Sequence, residues 1–172
     1  MAKLPERTWL YGIPVELATV QRWRRGLPEY RWAQLPRSRR YYTDGSCLRP
    51  RYPDVRVAAW AVAGLGDDGW WTAAGPCPGR QTIGRAELAA VAHVLRGAPV
   101  GCIVTDCLGV FRKCEAIRDG WINREHLQKG TNADLWMLVW EALRADPSWT
   151  FEWVASHQSE GEAAASGIEP DK

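Results

Sequence analysis

Between residues 41 and 74, hydrophobic and polar side chains alternate in short runs separated by turn residues, a pattern typical of β-strands. The runs predict strands at residues 41–43, 56–63 and 70–74. A turn is expected at residues 44–46 (Asp-Gly-Ser), and a hairpin turn at residues 65–69, which contain an Asp-Gly step. Because the links between the three strands are short, they predict an antiparallel meander.

From residue 85 onward the apolar period becomes helical, with Leu88, Val91, Ala92 and Leu95 on one face. The remaining pattern predicts alternating helices and strands: helix 85–95, strand 102–105, helix 108–118, polar stretch 119–130, helix 132–144 capped by Thr131 or Asn132, and strand 149–154. Helices between the later strands permit parallel crossovers. We therefore expect an α/β fold whose mixed five-stranded sheet has three antiparallel strands, then two parallel ones, flanked by helices.

Charge divides the chain into two parts. Residues 1–40 hold nine Lys/Arg and three Asp/Glu, a net +6, whereas residues 41–172 hold thirteen and seventeen, a net −4. We expect residues 1–38 to be a basic N-terminal extension or linker, with a short helix at 16–25, and residues 39–172 to be a domain. The basic arm fits either phosphate binding or a solvated linker.

The cysteines and the longest apolar run limit the setting of the protein. Five cysteines, an odd number without a C-x-x-C pair, favour neither a disulfide framework nor a structural zinc site. Reduced thiols predict an intracellular protein, cytoplasmic or nuclear. Residues 57–65, the longest apolar run, are too few for a membrane helix, so we expect a soluble protein with no membrane partner.

Three acidic residues stand at the ends of predicted elements. Asp44 follows the first strand of the meander, Asp106 follows strand 102–105, and Glu87 lies in the first turn of helix 85–95. If the two strands are parallel neighbours, both aspartates emerge at one sheet edge, and the helix could aim Glu87 at them. Converging carboxylates repel each other unless a cation joins them, and oxygen ligands favour Mg²⁺ or Mn²⁺. Two such ions, about 4 Å apart, would clamp a phosphodiester. Taken singly, each acid also fits a turn, cap or helix-dipole role.

Five short motifs in register carry a resemblance to a known family. They are YTDGSCL (residues 42–48), RAELA (85–89), VTD (104–106), NADLW (132–136) and FEWVASH (151–157). In this order and spacing they resemble the type 1 ribonuclease H domain (RNase HI), which occurs alone and fused to reverse transcriptases. The likeness spans roughly residues 39–160. It implies a metal-dependent endonuclease that hydrolyses the RNA strand of RNA–DNA hybrids, with two Mg²⁺ or Mn²⁺ ions per site.

The resemblance also implies roles for individual residues. Asp44, Glu87 and Asp106 match the metal-binding catalytic carboxylates, and His157 matches a mobile histidine that assists proton transfer and product release. The hybrid would be contacted by the residues that match substrate positions, namely Gly45, Ser46, Cys47, Thr82 and Gly84, of which Thr82 would hold a phosphate of the DNA strand. Asp134 and Trp136 match positions with structural roles, a capping or helix-surface Asp and a core Trp.

The chain departs from the family pattern at its C-terminal end. The fourth carboxylate of the family opens a final helix, and it cannot be placed: Asp171 falls in the expected window but no helix follows. We expect a C-terminally truncated domain with its last helix missing and a weakened metal site. The alternative is a catalytically impaired domain that binds hybrid or serves as a scaffold in a reverse transcriptase.

The resemblance also bears on the partners of the chain and on related classes of nuclease. A fused or associated reverse transcriptase, and a retroelement origin, are plausible implications of the resemblance and of the basic arm. Weak hybrid affinity of the acidic body would make such help from the arm or the partner necessary. Proofreading-type exonucleases and integrases are disfavoured. The former usually carry Asp-x-Glu on the first strand, where this chain has Asp44–Gly45–Ser46, and the latter place their Glu on a late helix.

Overall fold

A five-stranded mixed sheet with helices packed on it forms the body of the computed structural model, which describes residues 7–10, 13–16, 32, 34–49, 51 and 56–156. The elements in chain order are β1 Arg7–Leu10, β2 Ile13–Glu16, β3 Arg40–Leu48, β4 Val57–Gly66, β5 Gly69–Pro76, α1 Ile83–Gly97, β6 Cys102–Thr105, α2 Leu108–Arg118, α3 Arg124–Gln128, α4 Ala133–Ala145 and β7 Thr150–Trp153. None of the described helices is long and apolar enough to cross a membrane.

The order of the strands in the main sheet is β5-β4-β3-β6-β7. Strands β3, β4 and β5 form the antiparallel meander, in which the turn at Asp67 and Asp68 joins β4 to β5. Strands β6 and β7 extend the sheet in parallel to β3, each after a helical crossover. The expected fold class, with three antiparallel strands followed by two parallel ones, is confirmed.

Helix α1 forms the centre of the core. Its residues from Arg85 to Leu95 are all buried, and it lies across β3 and β4. Four of these residues are alanines, whose small side chains let the helix approach the sheet closely. Helix α4 packs beside α1 through its apolar stripe, which consists of Leu135, Trp136, Val139 and Leu143. The apolar positions that predicted the two helices are therefore buried in the fold. Trp136 is in the core, as expected.

The turn predicted at residues 44–46 was wrong. Strand β3 continues through this Asp-Gly-Ser sequence to Leu48, and Asp44 pairs with Ala61 of β4. The reason is long-range packing of α1 on Gly45, where an added Cβ would lie 2.2 Å from the backbone nitrogen of Glu87. Glycine is required here by close approach of a helix, and this contact overrides the local turn preference.

Other elements differ from expectation at the periphery. The β1–β2 hairpin was not predicted, and the expected helix 16–25 lies outside the described residues except for Glu16, which ends β2. The five-residue helix α3 lies within the stretch expected to be irregular. Asn132 occupies the N-cap position of α4 but adopts φ 58° and makes no capping hydrogen bond through its side chain, so the proposed side-chain cap was wrong.

The segment before β3 is packed against the body. Leu35 and Ser38 are buried, and the Leu35 N–H donates to Gly97 O at 2.8 Å. The Ser38 hydroxyl accepts from the backbone N–H groups of Leu65 (3.2 Å) and Arg40 (3.3 Å). The boundary at residue 38 stays a prediction, but the chain is already fixed to the sheet from Leu35 onward.

Candidate active site

Asp44 and Asp106 lie side by side because each directly follows the last paired residue of two neighbouring parallel strands, β3 and β6. The last parallel pair is Thr43 with Thr105, and each aspartate is the next residue along its strand. The Thr43 hydroxyl donates to Val104 O at 3.2 Å, which fixes the two strands to each other just before the aspartates. The expected meeting of the two acids at one sheet edge is present, although Asp44 lies within β3 and not at its end.

Helix α1 brings the third carboxylate to the same point. Glu87 is the fifth residue of α1, because the helix begins two residues earlier than predicted, and it stands directly over Gly45. The Thr82 hydroxyl accepts from the Arg85 N–H at 3.3 Å and caps the helix, which fixes where α1 begins. Carboxylate oxygens of Asp44, Glu87 and Asp106 all lie within 4.8 Å of one another. The structure thus brings together the three acids that the sequence singled out.

Glu87 is in an unfavourable electrostatic position. Its side chain is only 5% exposed, and its Oε2 has no hydrogen-bond partner among the described residues. Burial, followed by the charges of Asp106 and Asp44, raises the pKa of Glu87 to about 8, against a smaller lowering effect of a hydrogen bond from the Gly45 backbone. Such a buried carboxylate, beside two others, is a strong candidate for a ligand to a cation.

The donor set fits a hard divalent cation. Every group in the cluster is a carboxylate, which favours Mg²⁺ or Mn²⁺ over zinc or copper. Asp44 is exposed and Asp106 is half-buried, so the cluster is open to solvent on one side. A cation would offset both the burial and the repulsion that raise the pKa of Glu87, and it would give a partner to the Glu87 oxygen that has none among the described residues.

A buried arginine near Glu87 was missed by sequence reasoning. Arg85 donates through Nε to Pro78 O (2.7 Å) and through Nη1 to Asn132 Oδ1 (3.1 Å). Both Nη groups also reach the Asp134 carboxylate, an ion pair that lowers the pKa of Asp134. We call this set the Arg85 clamp; it ties the start of α1 to the start of α4. Its sequence signal was the presence of Arg85 and Asp134 in two of the recognised motifs.

Asp106 is held by a residue that was also missed. Trp153 of β7 donates its indole N–H to Asp106 O at 3.0 Å. The Cys107 N–H donates to the Thr105 hydroxyl at 3.2 Å, which shapes the turn between β6 and α2. These bonds orient the backbone on both sides of Asp106. Trp153 lies within the recognised motif at residues 151–157, but nothing in the local pattern indicates this contact.

The residues expected to contact substrate have different environments. Ser46 and Gly84 are exposed, and no atom lies within 4 Å of a Cβ built on Gly84. Thr82 is half-buried as the cap of α1, and the Cys47 thiol is directed at Gln81 O (3.6 Å). Gly45 is covered by α1. The substrate roles of these residues stay predictions, and His157 lies outside the described residues.

The fold and the position of the three carboxylates together define a class of protein. A mixed five-stranded sheet with one carboxylate within β3, one directly after its parallel neighbour β6 and a third on the crossing helix is the arrangement of the ribonuclease H-like fold. The family model described as RNase H matches residues 36–166, about three quarters of the chain. The chain therefore belongs to the RNase H family, which confirms the resemblance drawn from the motifs.

Solved structures of foamy virus proteins have the same fold. The RNase H domain of PFV is 18% identical, with a TM-score of 0.55 over 74% of this chain and 87% of that domain. The foamy viral protease-reverse transcriptase in complex with RNA/DNA hybrid is 16% identical, with a TM-score of 0.55 over 84% of this chain. The native Prototype Foamy Virus protease-reverse transcriptase is 19% identical, with a TM-score of 0.54 over 81% of this chain. The chain corresponds to 21% of each of these two longer proteins, and no curated protein sequence matches it.

Proposed function

We propose that the chain is a divalent-metal-dependent endonuclease that hydrolyses the RNA strand of RNA–DNA hybrids. The observation that carries the proposal is the convergence of Asp44, Glu87 and Asp106 within 4.8 Å, in a chain of the RNase H family. The buried Glu87 oxygen that lacks a hydrogen-bond partner in the described part of the chain supports a bound cation over a purely structural cluster.

Metal binding and proton transfer would be carried out by different residues of the chain. Asp44, Glu87 and Asp106 would hold one or two Mg²⁺ or Mn²⁺ ions, with Glu87 fixed by α1 and the aspartates fixed by neighbouring strands. Bound ions of this kind activate water for attack on a phosphodiester and stabilise the leaving oxygen. His157 would assist proton transfer, since histidine is the side chain that most often acts as a general acid or base in enzymes.

An RNA–DNA hybrid is the substrate that we assign to the open side of this cluster. Exposed Ser46 and Gly84, with the backbone beside Cys47, would flank the minor groove, where the 2′-hydroxyl distinguishes RNA from DNA. Thr82 would contact a phosphate of the DNA strand. A reverse transcriptase, fused or associated, is the partner we propose, since the folds of foamy viral protease-reverse transcriptases contain the same domain.

The proposal is tested by cleavage of a hybrid labelled on its RNA strand. The wild-type chain is compared with Asp44→Asn in Mg²⁺ and in Mn²⁺, and with Glu141→Gln, which removes one carboxylate from the exposed surface of α4. We expect cleavage by the wild type and by Glu141→Gln. Asp44→Asn should reduce the rate by at least about a hundredfold, the scale on which loss of an electrostatic group acts.

The alternative, an impaired domain that binds hybrid without cutting it, gives a different result. A folded wild-type chain that binds hybrid but leaves it intact in both metals would contradict the proposed activity. Cleavage that Asp44→Asn does not affect would show that the activity resides elsewhere or in a contaminant. Cleavage of double-stranded DNA at the same rate would contradict the substrate class.

A further inference from the structure

A cleft of about 720 Å³ opens at the N-terminal end of β3, which precedes Asp44 along the strand. We call it the arginine–tryptophan cleft. Its lining includes Arg37, Arg39, Arg40, Tyr42, Leu65 and Trp70. Asp67 is the acidic residue in the same lining, so the side chains of the cleft carry a net positive charge. All three arginines belong to residues 1–40, the basic part of the chain, and the cleft is where that part meets the acidic body of residues 41–172.

The arginines of the cleft stand on a fixed backbone. Ser38, between two of them, is buried and bonded to Leu65 and Arg40, and Arg39 O accepts from the Cys102 N–H at 2.9 Å. Arg40 forms an ion pair with Glu152, at 3.0 Å. Arg37 and Arg39 are exposed and make no ion pair within the described part of the chain. Two cations are thus presented to solvent at no further cost in backbone ordering.

Two aromatic rings, of Tyr42 and Trp70, also line the cleft. Trp70 is 53% exposed, and its ring lies 5.7 Å from that of Tyr42 with the planes tilted by 46°. The contact holds one side of the indole, and the exposed remainder is available for a ligand. Large exposed aromatic rings next to arginines are the elements with which proteins hold single-stranded nucleic acid, the rings by stacking on bases and the cations by contacting phosphates.

The cleft and the carboxylates share one face of the sheet. Side chains alternate along a strand, so Tyr42 and Asp44 project from the same face of β3, about 7 Å apart along the strand. One nucleotide of an extended strand covers a similar length. A nucleic acid strand that passes the carboxylates therefore reaches Trp70 and the arginines within a few nucleotides.

We propose that the arginine–tryptophan cleft is a second nucleic-acid site, which binds a single-stranded extension of the substrate by stacking a base on Trp70 and contacting phosphates with Arg37 and Arg39. Binding of a single strand does not require cleavage. The placement of that strand next to a cut site rests on the proposed function.

The first experiment measures binding of a fluorescein-labelled 12-nucleotide single-stranded RNA by anisotropy, with the full chain in chelator. The double variant Arg37→Gln/Arg39→Gln is compared with Arg124→Gln/Arg144→Gln, which removes the same charge from exposed positions on α3 and α4. We expect the cleft variant to bind at least about tenfold more weakly, with a salt slope smaller by about 1.4, while the control stays within about twofold of wild type. Trp70→Ala should weaken binding about tenfold, and Trp70→Phe should retain most of it.

The second experiment separates this site from the proposed nuclease activity. Hybrids with and without a ten-nucleotide single-stranded extension are cut by wild type and by the cleft variants; only the extended hybrid should show an increased KM. If the wild type cuts neither hybrid, the nuclease proposal fails, and the binding experiment still decides on the cleft. Equal RNA affinity of the cleft and control variants would overturn the proposal. So would a change of oligomeric state in the cleft variants without a change in RNA affinity, which would assign the cleft to a second copy of the chain.

Discussion

Arg85 and Glu87 are buried charged residues two positions apart on α1, and they differ in the partners that the rest of the molecule gives them. Arg85 is bonded to a backbone carbonyl, an amide oxygen and a carboxylate. Glu87 has two like charges nearby and an oxygen without a partner among the described residues. The same helix therefore carries one charge whose cost of burial is offset inside the protein and another whose cost is not.

This difference separates a structural charge from a functional one. Arg85 stabilises the native state because its partners replace the water it loses. Glu87 destabilises the metal-free state, and such a residue persists where a ligand supplies the missing interaction. The Arg85 clamp also holds the first turn of α1, on which the position of Glu87 depends. The two centres are thus linked: the satisfied charge fixes the helix that presents the unsatisfied one.

The largest effect is expected from breaking the Arg85 clamp. Arg85→Met keeps the apolar stem but leaves Pro78 O, Asn132 and Asp134 without their donor, and should lower the free energy of unfolding by about 4 kcal/mol. Urea unfolding measures the change. Arg96→Met, at an exposed position on the same helix, is the control and should change stability by less than about 0.5 kcal/mol. Similar values for the two variants would mean that the clamp is not a major source of stability.

Replacement of Glu87 should raise the free energy of unfolding, whereas replacement of Arg85 lowers it. With a folded pKa of about 8 against 4.5, the metal-free protein loses stability as pH rises from about 4.5 to 8, because the unfolded chain ionises more easily. In chelator at pH 7, Glu87→Gln should raise the free energy of unfolding by about 3 kcal/mol and abolish cleavage. At pH 4 wild type and variant should be equally stable.

The measurement is again urea unfolding, repeated with excess Mg²⁺ or Mn²⁺. Binding to the native state should stabilise wild type but not Glu87→Gln. Glu141→Gln is the matched control and should be neutral under all these conditions. A Glu87→Gln variant that is less stable than wild type at pH 7 would contradict the assignment of Glu87 as an uncompensated charge.

A third buried ionisable residue on α1 gives the smallest effect. His93 is stacked on Trp60, with ring centroids 3.7 Å apart, and contacts Trp32; burial lowers its pKa to about 4. The unfolded chain takes up a proton near pH 6.5, so stability should fall as pH decreases from 6.5 to 4, by about 2 kcal/mol at pH 5. His93→Phe should lose this component of the pH dependence. A wild-type curve identical to that of the variant between pH 7 and 5 would show that His93 is not held neutral.

Much of the fold could be predicted because its patterns are local. Residues 102–105 and 108–118 were assigned correctly to their last residue, since the aspartates that follow them, Asp106 and Asp119, are poor formers of strand and helix interiors. The meeting of Asp44 and Asp106 followed from parallel strand order alone. Helix α3 was missed because five residues are too few to show a helical period.

The remaining errors come from interactions between distant parts of the chain. Gly45 next to Asp44 has the local signature of a turn, but the helix packed on it and the pairing with β4 keep the strand extended. Asn132 has the side chain of a helix cap, but its Oδ1 accepts from Arg85, 47 residues earlier. Neither contact leaves a periodic signal in the sequence. In both cases the deciding partner belongs to α1.

The unequal pairing of β3 on its two edges has a consequence for amide hydrogen exchange. Tyr41 to Thr43 pair with β4 on one side and with β6 on the other, whereas from Asp44 to Leu48 β4 is the only described neighbour in the sheet. In the first half every amide proton meets a carbonyl across one of the two edges, so exchange there requires opening of the sheet. In the second half only the amides that face β4 are protected by the ladder. A single strand should therefore exchange at two rates, and the change of rate should mark the position of Asp44.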